Sequence, residues 1–483
     1  MAYKHGVYCS EVPTSIVPAV NTAAGLPVVF GTAPIHLASA PAEANRPVLC
    51  YSYAEAVAAL GYSADWDNYS ICEVMYSQFA LYNRAPLVFV NVLDPAVHKA
   101  TVESESVPVT NKVATVQAPV LLNTLVVKVD DVEGGETLVK DVDYIAAYNN
   151  DEELLISLLA DGKGASATSL TLSYDKVDAS LVDKDDIIGG IDVATNACKG
   201  LETLNQVFPL FGMVPGIVLA PGWSHYPEVA AVMKAEAGNI NSHFKAIVLT
   251  DVPTDTVKKY SDVSAWKNQN SYNGVDQVVC WPMAKLGDSI YYMSTHALGA
   301  IAQTDSANDD IPYESPSNKT IQINGLCLAD GTEVILGPDE ANYLNGQGVV
   351  TALNFVGGWK LWGNRTGCYP SNTDAKDAFI SIRRMFNWHA QTFILTYWAK
   401  VDKPITKRLI QTIIDSENIR LNGLVARGAL LGARVEFQDT ENPVTNLLDG
   451  IITFHTYFTP PTPAREIENI IEYDPQYFNT LFS

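Results

Sequence analysis

Two adjacent residues, Ser224 and His225, are of the types that act as nucleophile and general base in hydrolases, and they lie in the loop APGWSHYP after an apolar run. In an α/β sheet, loops at the carboxyl ends of the strands are where active sites form. A serine nucleophile needs a histidine that faces it, however, and a sequence neighbour does not. The GxSxG elbow is also missing, because Tyr226 stands in its last position. We therefore predict no catalytic residues, and an α/β hydrolase-type enzyme remains an alternative interpretation.

Other patterns that bind metals, phosphates or cofactors are missing from the sequence. The seven cysteines lie far apart without a CxxC pair, and the eight histidines never fall at metal-ligand spacing. There is no Walker loop, no GxGxxG after a strand and no HExxH. The stretch GGWKLWGNRT places Lys360 and Arg365 near glycines, but these glycines flank two tryptophans and do not open a helix. We predict neither a metal site nor a cofactor.

The charge balance bears on the possible partners. The chain has 54 acidic and 31 basic residues and a net charge of −23, which argues against binding to nucleic acid because phosphate binding needs a basic face. No charged N-terminal region is followed by an apolar one, and no run of about 18 apolar residues occurs. The sequence therefore predicts neither a signal peptide nor insertion into a membrane.

One segment departs from this acidic average. Between residues 380 and 434, nine basic side chains stand against three acidic ones, a net charge of +6. Such a run is typical of a solvated basic face on helices. It also fits an electrostatic docking surface for an acidic partner, since complementary charge supplies steering and register. The sequence leaves both interpretations open.

Hydrophobic periodicity predicts an α/β (mixed α+β) multidomain fold. Short apolar runs alternate with helical spacing on both sides of a Val- and Thr-rich stretch, which predicts an inserted small β-sandwich or barrel. The insert either has a purely structural role and adds bulk to the outside of the protein, or it binds a host surface or a carbohydrate. The predicted divisions are an N-terminal arm at 1–20, an α/β domain at 21–97 and 187–336, the insert at 98–186, a C-terminal domain at 337–464 and a C-terminal arm at 465–483.

The last third of the chain contains LNGQGVVTALNFVGGWKLWGNRT (344–366), FISIRRMFNWHAQTFI (379–394) and GLVARGALLGARVEFQDTENP (423–443). In this order the segments resemble the contractile tail sheath family, whose members form the outer, shortening tube of phage tails, tailocins and related injection particles. The motif residues that carry the resemblance are Asn345, Gly346, Trp362, Gly363, Arg365 and Thr366. For Arg365, an internal role in holding a buried turn is the alternative to contact with a partner. An internal role is equally the alternative for Arg383 and Arg384.

The resemblance implies a structural subunit without catalytic activity. Its members stack as hexameric rings into a helical polymer around an inner tail tube, and the polymer contracts to drive that tube through a cell envelope. The implied partners are further copies of the chain, the tube protein, and the baseplate and tail terminator proteins. The implied location is a virion or tail particle assembled in the bacterial cytoplasm. Another self-assembling shell or a surface-layer protein remains an alternative.

The resemblance also implies roles for particular residues. The C-terminal domain of sheath proteins grips the tube, so the tube-docking residues expected here are Arg383, Arg384, Lys407, Arg408 and Arg420. Both terminal arms of sheath proteins add strands to sheets of neighbouring subunits. The residues expected in these arms are Val7, Tyr8, Val12, Ile467, Ile470, Ile471 and Tyr473. The alternative for an arm is that it folds back on its own domain.

Overall fold

The fold is described from a computed structural model that covers residues 24–129 and 136–482 of the chain. The first α/β portion contains β1 (Pro27–Gly31), β2 (Val48–Cys50), α1 (Tyr53–Leu60), α2 (Ser70–Met75) and β3 (Leu87–Asn91). The stretch SYAEAVAALG, which has helical spacing, forms α1. Ser52 caps its first turn by accepting a hydrogen bond from the backbone N–H of Glu55, and Gly61 ends it at a φ of 75°, which favours glycine.

The insert forms the next portion of the chain. Its strands are β4 (Lys99–Pro108), β5 (Val113–Val116), β6 (Val126–Val129), β7 (Glu136–Leu138), β8 (Tyr144–Tyr148), β9 (Leu154–Leu158) and β10 (Ser169–Val177). They form two antiparallel sheets, β4-β10-β6-β7 and β5-β9-β8, which share one apolar core as in a small β-sandwich. The two ends of the insert meet where the Asp178 backbone N–H donates to the His98 carbonyl oxygen at 3.0 Å. Adjacent ends explain why the surrounding domain tolerates an insertion here.

The chain then returns to alternating helices and strands. These elements are α3 (Lys184–Ile188), β11 (Gly190–Ile191), β12 (Cys198–Lys199), α4 (Leu204–Phe211), β13 (Ile217–Leu219), α5 (Pro227–Ala237), β14 (Ile247–Asp251), α6 (Tyr260–Gln269), β15 (Gln277–Cys280), β16 (Met283–Leu286), β17 (Ser289–Tyr291), α7 (Met293–Ala307), β18 (Gly325–Cys327), β19 (Glu333–Val334), α8 (Pro338–Gly346), β20 (Val349–Asn354) and β21 (Trp359–Trp362). Strands β13 and β14 pair in parallel around α5 and so make a βαβ unit.

An eight-stranded sheet organises this domain, with the order β2-β3-β1-β13-β14-β15-β20-β21. The inner strands are parallel and the two edge strands antiparallel. Successive residues of β1 enter different cores, with Val28 facing α3, α4 and α5 and Val29 facing α1, α2 and α7. Burial on both faces explains why the strands are continuous apolar runs. Because β20 and β21 complete this sheet, the predicted division at residue 337 is corrected to a point after Trp362.

The C-terminal portion packs on the end of the α/β domain. It contains α9 (Ala375–Ala378), α10 (Ile380–Tyr397), α11 (Lys407–Ala426), β22 (Gly432–Glu436), α12 (Val444–Leu448) and β23 (His455–Thr459). Met385 and Trp388 of α10 share an apolar core with Leu421 and Leu424 of α11. Strands β22 and β23 form a separate two-stranded antiparallel sheet, and Phe458 of β23 packs against α10.

The last residues of the chain contain no strand in the described structure. Residues 460–474 have no regular secondary structure, and a 3₁₀ segment covers Pro475–Phe482. The side chains that were expected to form an arm strand are exposed to solvent. They are Ile467, Ile470, Ile471 and Tyr473. The residues expected in the N-terminal arm, Val7, Tyr8 and Val12, lie outside the described residues.

Candidate functional site

The second of the two tandem arginines of α10 is an internal residue. The Arg384 side chain is 3% exposed and forms a two-pronged ion pair with Asp305 of α7, with Nη1 2.8 Å from Oδ1 and Nη2 in contact with Oδ2. A buried ion pair is costly to break, because removing one member leaves the other charge buried and unpaired. Arg384 therefore joins α10 to α7, and its predicted docking role is corrected.

Arg383 and Arg420 are also occupied within the chain. Arg383 contacts Asp276 at 3.3 Å and Asp377 at 3.2 Å, and its side chain is mostly buried. Arg420 binds Glu417 and donates to Nδ1 of His389 at 2.7 Å. Burial lowers the pKa of His389 to about 4, and the Arg420 charge adds to this effect. These two arginines hold the C-terminal helices together and are withdrawn from the docking surface.

Within the basic segment 380–434, the basic side chains without an ion pair in the described structure gather at one place. Lys400, Lys403, Lys407 and Arg408 lie in the turn between α10 and α11 and in the first turn of α11, and the last three are exposed. Two apolar side chains lie among them, Trp398 and Val401, which are 58% and 63% exposed. We call these six residues the turn cluster.

The turn cluster contains residues that sequence reasoning missed. Lys400 and Lys403 were counted in the basic segment but were not assigned to docking, and Trp398 and Val401 were not singled out. The signal that could have found them is WAKVDKPITKR, where apolar residues alternate with cations next to a proline. Thr406 caps α11 by accepting from the backbone N–H of Leu409 at 3.1 Å, and the first turn contains no acidic residue. Cations at a helix N-terminus oppose the helix dipole, so an external anion would stabilise this arrangement.

Most of the family-motif residues hold the end of the main sheet. In the amide orientation that satisfies both of its polar atoms, Asn345 donates to the carbonyl oxygens of Trp362 and Val349 at 2.9 Å. A Cβ on Gly363 would lie 2.8 Å from the side-chain amide of Asn345, and Gly363 has a φ of 142°. The Thr366 hydroxyl donates to the Asp377 carbonyl oxygen at 2.7 Å. By contrast, a Cβ on Gly346 would meet nothing within 4 Å, so packing does not explain that glycine.

Arg365 differs from the other motif residues because its guanidinium lies between two aromatic rings. The guanidinium carbon is 3.7 Å from the centre of the Phe379 ring and 4.4 Å from that of Tyr369. Burial lowers the pKa of Arg365, and the neighbouring Arg465 adds to this effect. The neighbouring backbone closes the turn, with the Thr366 N–H donating to the Ala378 carbonyl oxygen at 3.2 Å. The Arg365 side chain therefore packs against two aromatic rings of this turn.

The Ser224 and His225 pair does not form a nucleophile and base. The buried Ser224 hydroxyl lies 3.3 Å from Oδ2 of Asp251 and accepts from the Asp251 backbone N–H at 3.1 Å. The His225 ring stacks parallel to that of Tyr292, with centres 6.5 Å apart. Among the described residues, Ser224 has no hydrogen bond to His225. The arrangement closes the carboxyl end of β14 and explains these residues as structural.

Two carboxyl groups near this loop are fully buried. Burial raises the pKa of Asp251 to about 6 and that of Glu73 to about 8. Ser294 contacts Asp251 through its backbone N–H at 3.0 Å, and the Tyr292 N–H donates to Glu73 at 2.9 Å. Glu73 has no cationic partner within the described ranges. These groups make the stability of the domain sensitive to pH.

Metal clusters, membrane-spanning helices and disulfide bonds are all missing from the described residues. No cluster of three or more His, Cys, Asp or Glu side chains there is arranged to hold a metal ion. None of the helices in these ranges combines the length and the apolar character needed to cross a membrane. The six cysteines at positions 50, 72, 198, 280, 327 and 368 are free thiols, and five of them are buried.

The chain is similar to known proteins over almost its whole length. No protein-family model matches it. It is 28% identical to the tail sheath protein of Burkholderia phage BcepMu over 495 aligned positions, which cover 99% of this chain and 98% of the relative. Among solved structures, it matches the sheath of the PVC extracellular contractile injection system in its contracted state with a TM-score of 0.58, 12% identity and coverage of 99% of both chains. The contracted helical sheath of the anti-feeding prophage matches with a TM-score of 0.57 and 13% identity, covering 98% of this chain and all of that one. The chain is thus similar in sequence to phage tail sheath proteins and has the fold of the solved sheath structures.

Proposed function

We propose that the chain is the structural subunit of a contractile tail sheath, which polymerises as stacked hexameric rings around an inner tail tube and contracts to drive that tube through a cell envelope. The observation that carries this proposal is the alignment with the BcepMu tail sheath protein across 99% of the chain. A match of this extent includes the insert and both terminal regions. The subunit belongs to a virion or tail particle assembled in the bacterial cytoplasm, with baseplate and tail terminator proteins as further partners.

The exposure of the C-terminal segment supports the proposal that it is a linking arm. Ile467, Ile470 and Ile471 are each more than 80% exposed, so the single chain leaves an apolar, extended segment in water. Strands β22 and β23 form a sheet of only two strands, and each has an edge without a strand partner in the described structure. A two-stranded sheet is marginally stable alone. Addition of an arm from a neighbouring subunit would satisfy both segments through main-chain hydrogen bonds.

The charges and the exposed aromatic ring of the turn cluster support the proposal that it docks to the tube. Its four cations are free of ion pairs within the described residues, and Trp398 supplies an exposed aromatic anchor whose ring also packs edge-on against His243. Aromatic residues surrounded by charged neighbours are common centres of protein interfaces. The tube face that fits this surface is acidic and has an apolar recess. Lys407 and Arg408 are retained from the sequence-based assignment, and Lys400, Lys403, Trp398 and Val401 join them.

Contraction is powered in this proposal by two alternative packings of the polymer. The extended state is kinetically trapped and the contracted state has the lower free energy. Interfaces with two discrete arrangements can store such a difference, and terminal arms keep the subunits connected while they rotate and slide. No nucleotide is needed for this mechanism.

Electron microscopy of the purified chain, concentrated alone at moderate salt, tests the proposal. We expect striated hollow tubes with a bore wide enough for an inner tube. The chain that lacks residues 465–483 should stay folded by circular dichroism and fail to form these tubes. Closed shells or flat lattices from the full chain would point to another self-assembling shell or a surface-layer protein, and dispersed monomers in the presence of the tube protein would contradict the proposal.

A further inference from the structure

The Arg365 cleft is an open cavity of about 830 Å³ at the junction of the main sheet and the C-terminal portion. Its walls come from the 313–319 loop, α8, the end of β21 and the chain segment 461–466. The residues that line it are predominantly polar, and they include Asn318, Asn342 and Asn364. The cleft is therefore suited to a polar or charged occupant and has the size of a small-ligand or peptide side-chain site.

Arg365 is the one internal arginine of the C-terminal region that lacks an anion in the described structure. Its Nε atom is buried without a hydrogen-bond partner, and no acceptor or carboxylate in these residues contacts its terminal nitrogens. Arg383, Arg384 and Arg420 each bind at least one carboxylate. The nearby Lys319 already pairs with Glu314, and Arg465 pairs with Glu466. The cleft thus contains a positive charge that its own walls do not neutralise.

The rings of Phe379 and Tyr369 determine which way the Arg365 guanidinium can bind. They lie 4.4 and 3.7 Å from its central carbon and hold it in place, and its terminal N–H groups have no acceptor in the described structure. A guanidinium edge matches a carboxylate with two parallel hydrogen bonds, and a partly desolvated cation gains most from such a partner. The chemistry of the cleft is therefore that of a carboxylate receptor.

The acidic C-terminal segment supplies carboxylates that have no cation partner of their own. Glu468, Glu472 and Asp474 are exposed, and no ion pair involves them in the described part of the chain. This segment begins next to residues that line the cleft and then runs into solvent. We propose that the Arg365 cleft binds a carboxylate from residues 466–474 of a second copy of the chain. This inference rests on the linking arm of the proposed function and adds the site where its charge is received.

A labelled synthetic peptide of residues 464–483, titrated into the full chain and followed by fluorescence anisotropy, tests the inference. We expect the peptide to bind the native chain, and Arg365→Met to weaken binding about tenfold or more, since the variant loses the hydrogen bonds between two charged groups. Arg365→Lys keeps the charge but loses the fork, so an intermediate affinity is expected. Arg427→Met, at an exposed arginine paired with Asp309, is the matched control and should leave binding unchanged.

Three results would overturn the inference: no binding to the native chain, equal binding to the native chain and Arg365→Met, or equal binding of a peptide in which Glu466, Glu468, Glu472 and Asp474 are replaced by their amides. Thermal unfolding of each variant shows whether a loss of binding reflects loss of the fold. If Arg365→Met does not fold, the binding measurement is made with Arg365→Lys instead. A full chain carrying the same four amide substitutions shows whether the carboxylate in the cleft comes from the same chain or from a second copy. If it binds the native peptide more than about threefold tighter, the chain's own segment fills the cleft and the second copy does not.

The outcome is independent of polymerisation itself. If the native chain forms striated tubes and the affinity for the peptide is the same with and without Arg365, only this inference fails. If the native chain forms no tubes, the proposed function fails whatever the peptide does.

Discussion

The arginines inside the C-terminal region and the cations of the turn cluster come from one basic segment, yet the fold uses them in opposite ways. Arg384 is buried against Asp305 and Arg383 against Asp377, so their charges are neutralised within the chain. Lys403, Lys407 and Arg408 are exposed and have no ion pair in the described structure. The difference shows that a net charge of +6 over a segment says little about a surface until the partners of each side chain are known.

The largest effect on stability is expected from breaking the buried pair. Arg384→Gln leaves the Asp305 carboxylate buried without a cation, so the free energy of unfolding should fall by about 3–5 kcal/mol. Chemical denaturation followed by circular dichroism measures this change. Arg427→Gln is the control at an exposed pair with Asp309, where about 0–1 kcal/mol is expected. A loss at Arg384 no larger than that at Arg427 would remove the distinction between internal and surface cations.

A pH-dependent effect of a few kcal/mol is expected at Glu73, a buried carboxyl group with no cation in the described structure. Its pKa is raised to about 8 by burial, so the folded state keeps a proton that the unfolded state loses at a lower pH. Its stabilising contribution is complete below the unfolded-state pKa of about 4.3 and is lost as the pH rises through 8, at about 1.4 kcal/mol per pH unit across that window.

Comparison of the native chain with Glu73→Gln isolates this contribution. The native chain should lose stability relative to the variant between pH 5 and 8, as measured by denaturation at a series of pH values. A difference that stays constant across this range would show that Glu73 is ionised in the folded protein. Asp251 is present in both proteins, so the difference between them reports Glu73 together with its interaction with Asp251.

The smallest effect on stability is expected at the turn cluster. Charge reversal of Lys403, Lys407 and Arg408 to glutamate should change the free energy of unfolding by no more than about 0.5 kcal/mol, because exposed side chains away from a core contribute little. Acidic residues in the first turn of α11 favour the helix dipole and offset part of any loss. A drop comparable to that of Arg384→Gln would mean that these cations have an internal role.

Much of the fold could be predicted from the sequence because its strands and helices follow simple periodicity. The apolar runs of β1, β3 and β14 are buried on both faces, and α1 ends at Gly61, where the helical spacing of the sequence stops. The fold class and the relation to sheath proteins were also predicted correctly. The division at residue 337 was misplaced, since the pairing of β20 with β15 joins segments about 70 residues apart and has no local signal.

The site could be predicted only in part. Tandem arginines in an amphipathic helix do not reveal that Asp305, far away in the sequence, faces one of them. Arg365 was recognised as a motif residue, but its position between Tyr369 and Phe379 without an anion depends on the turn that brings residues 364–366 against residues 378–380. Local patterns predict elements, whereas the partners of a charge are set by tertiary packing.

Electron microscopy of the chain mixed with its tube protein, comparing the native chain with the Lys403, Lys407 and Arg408 charge-reversal variant, tests the central claim most directly. The native chain should form extended sheaths that enclose a tube. The variant should still form hollow tubes of the contracted type but leave the inner tubes bare. Extended sheaths around tubes in both samples would contradict docking through the turn cluster, and polymers in neither sample would contradict the sheath function itself.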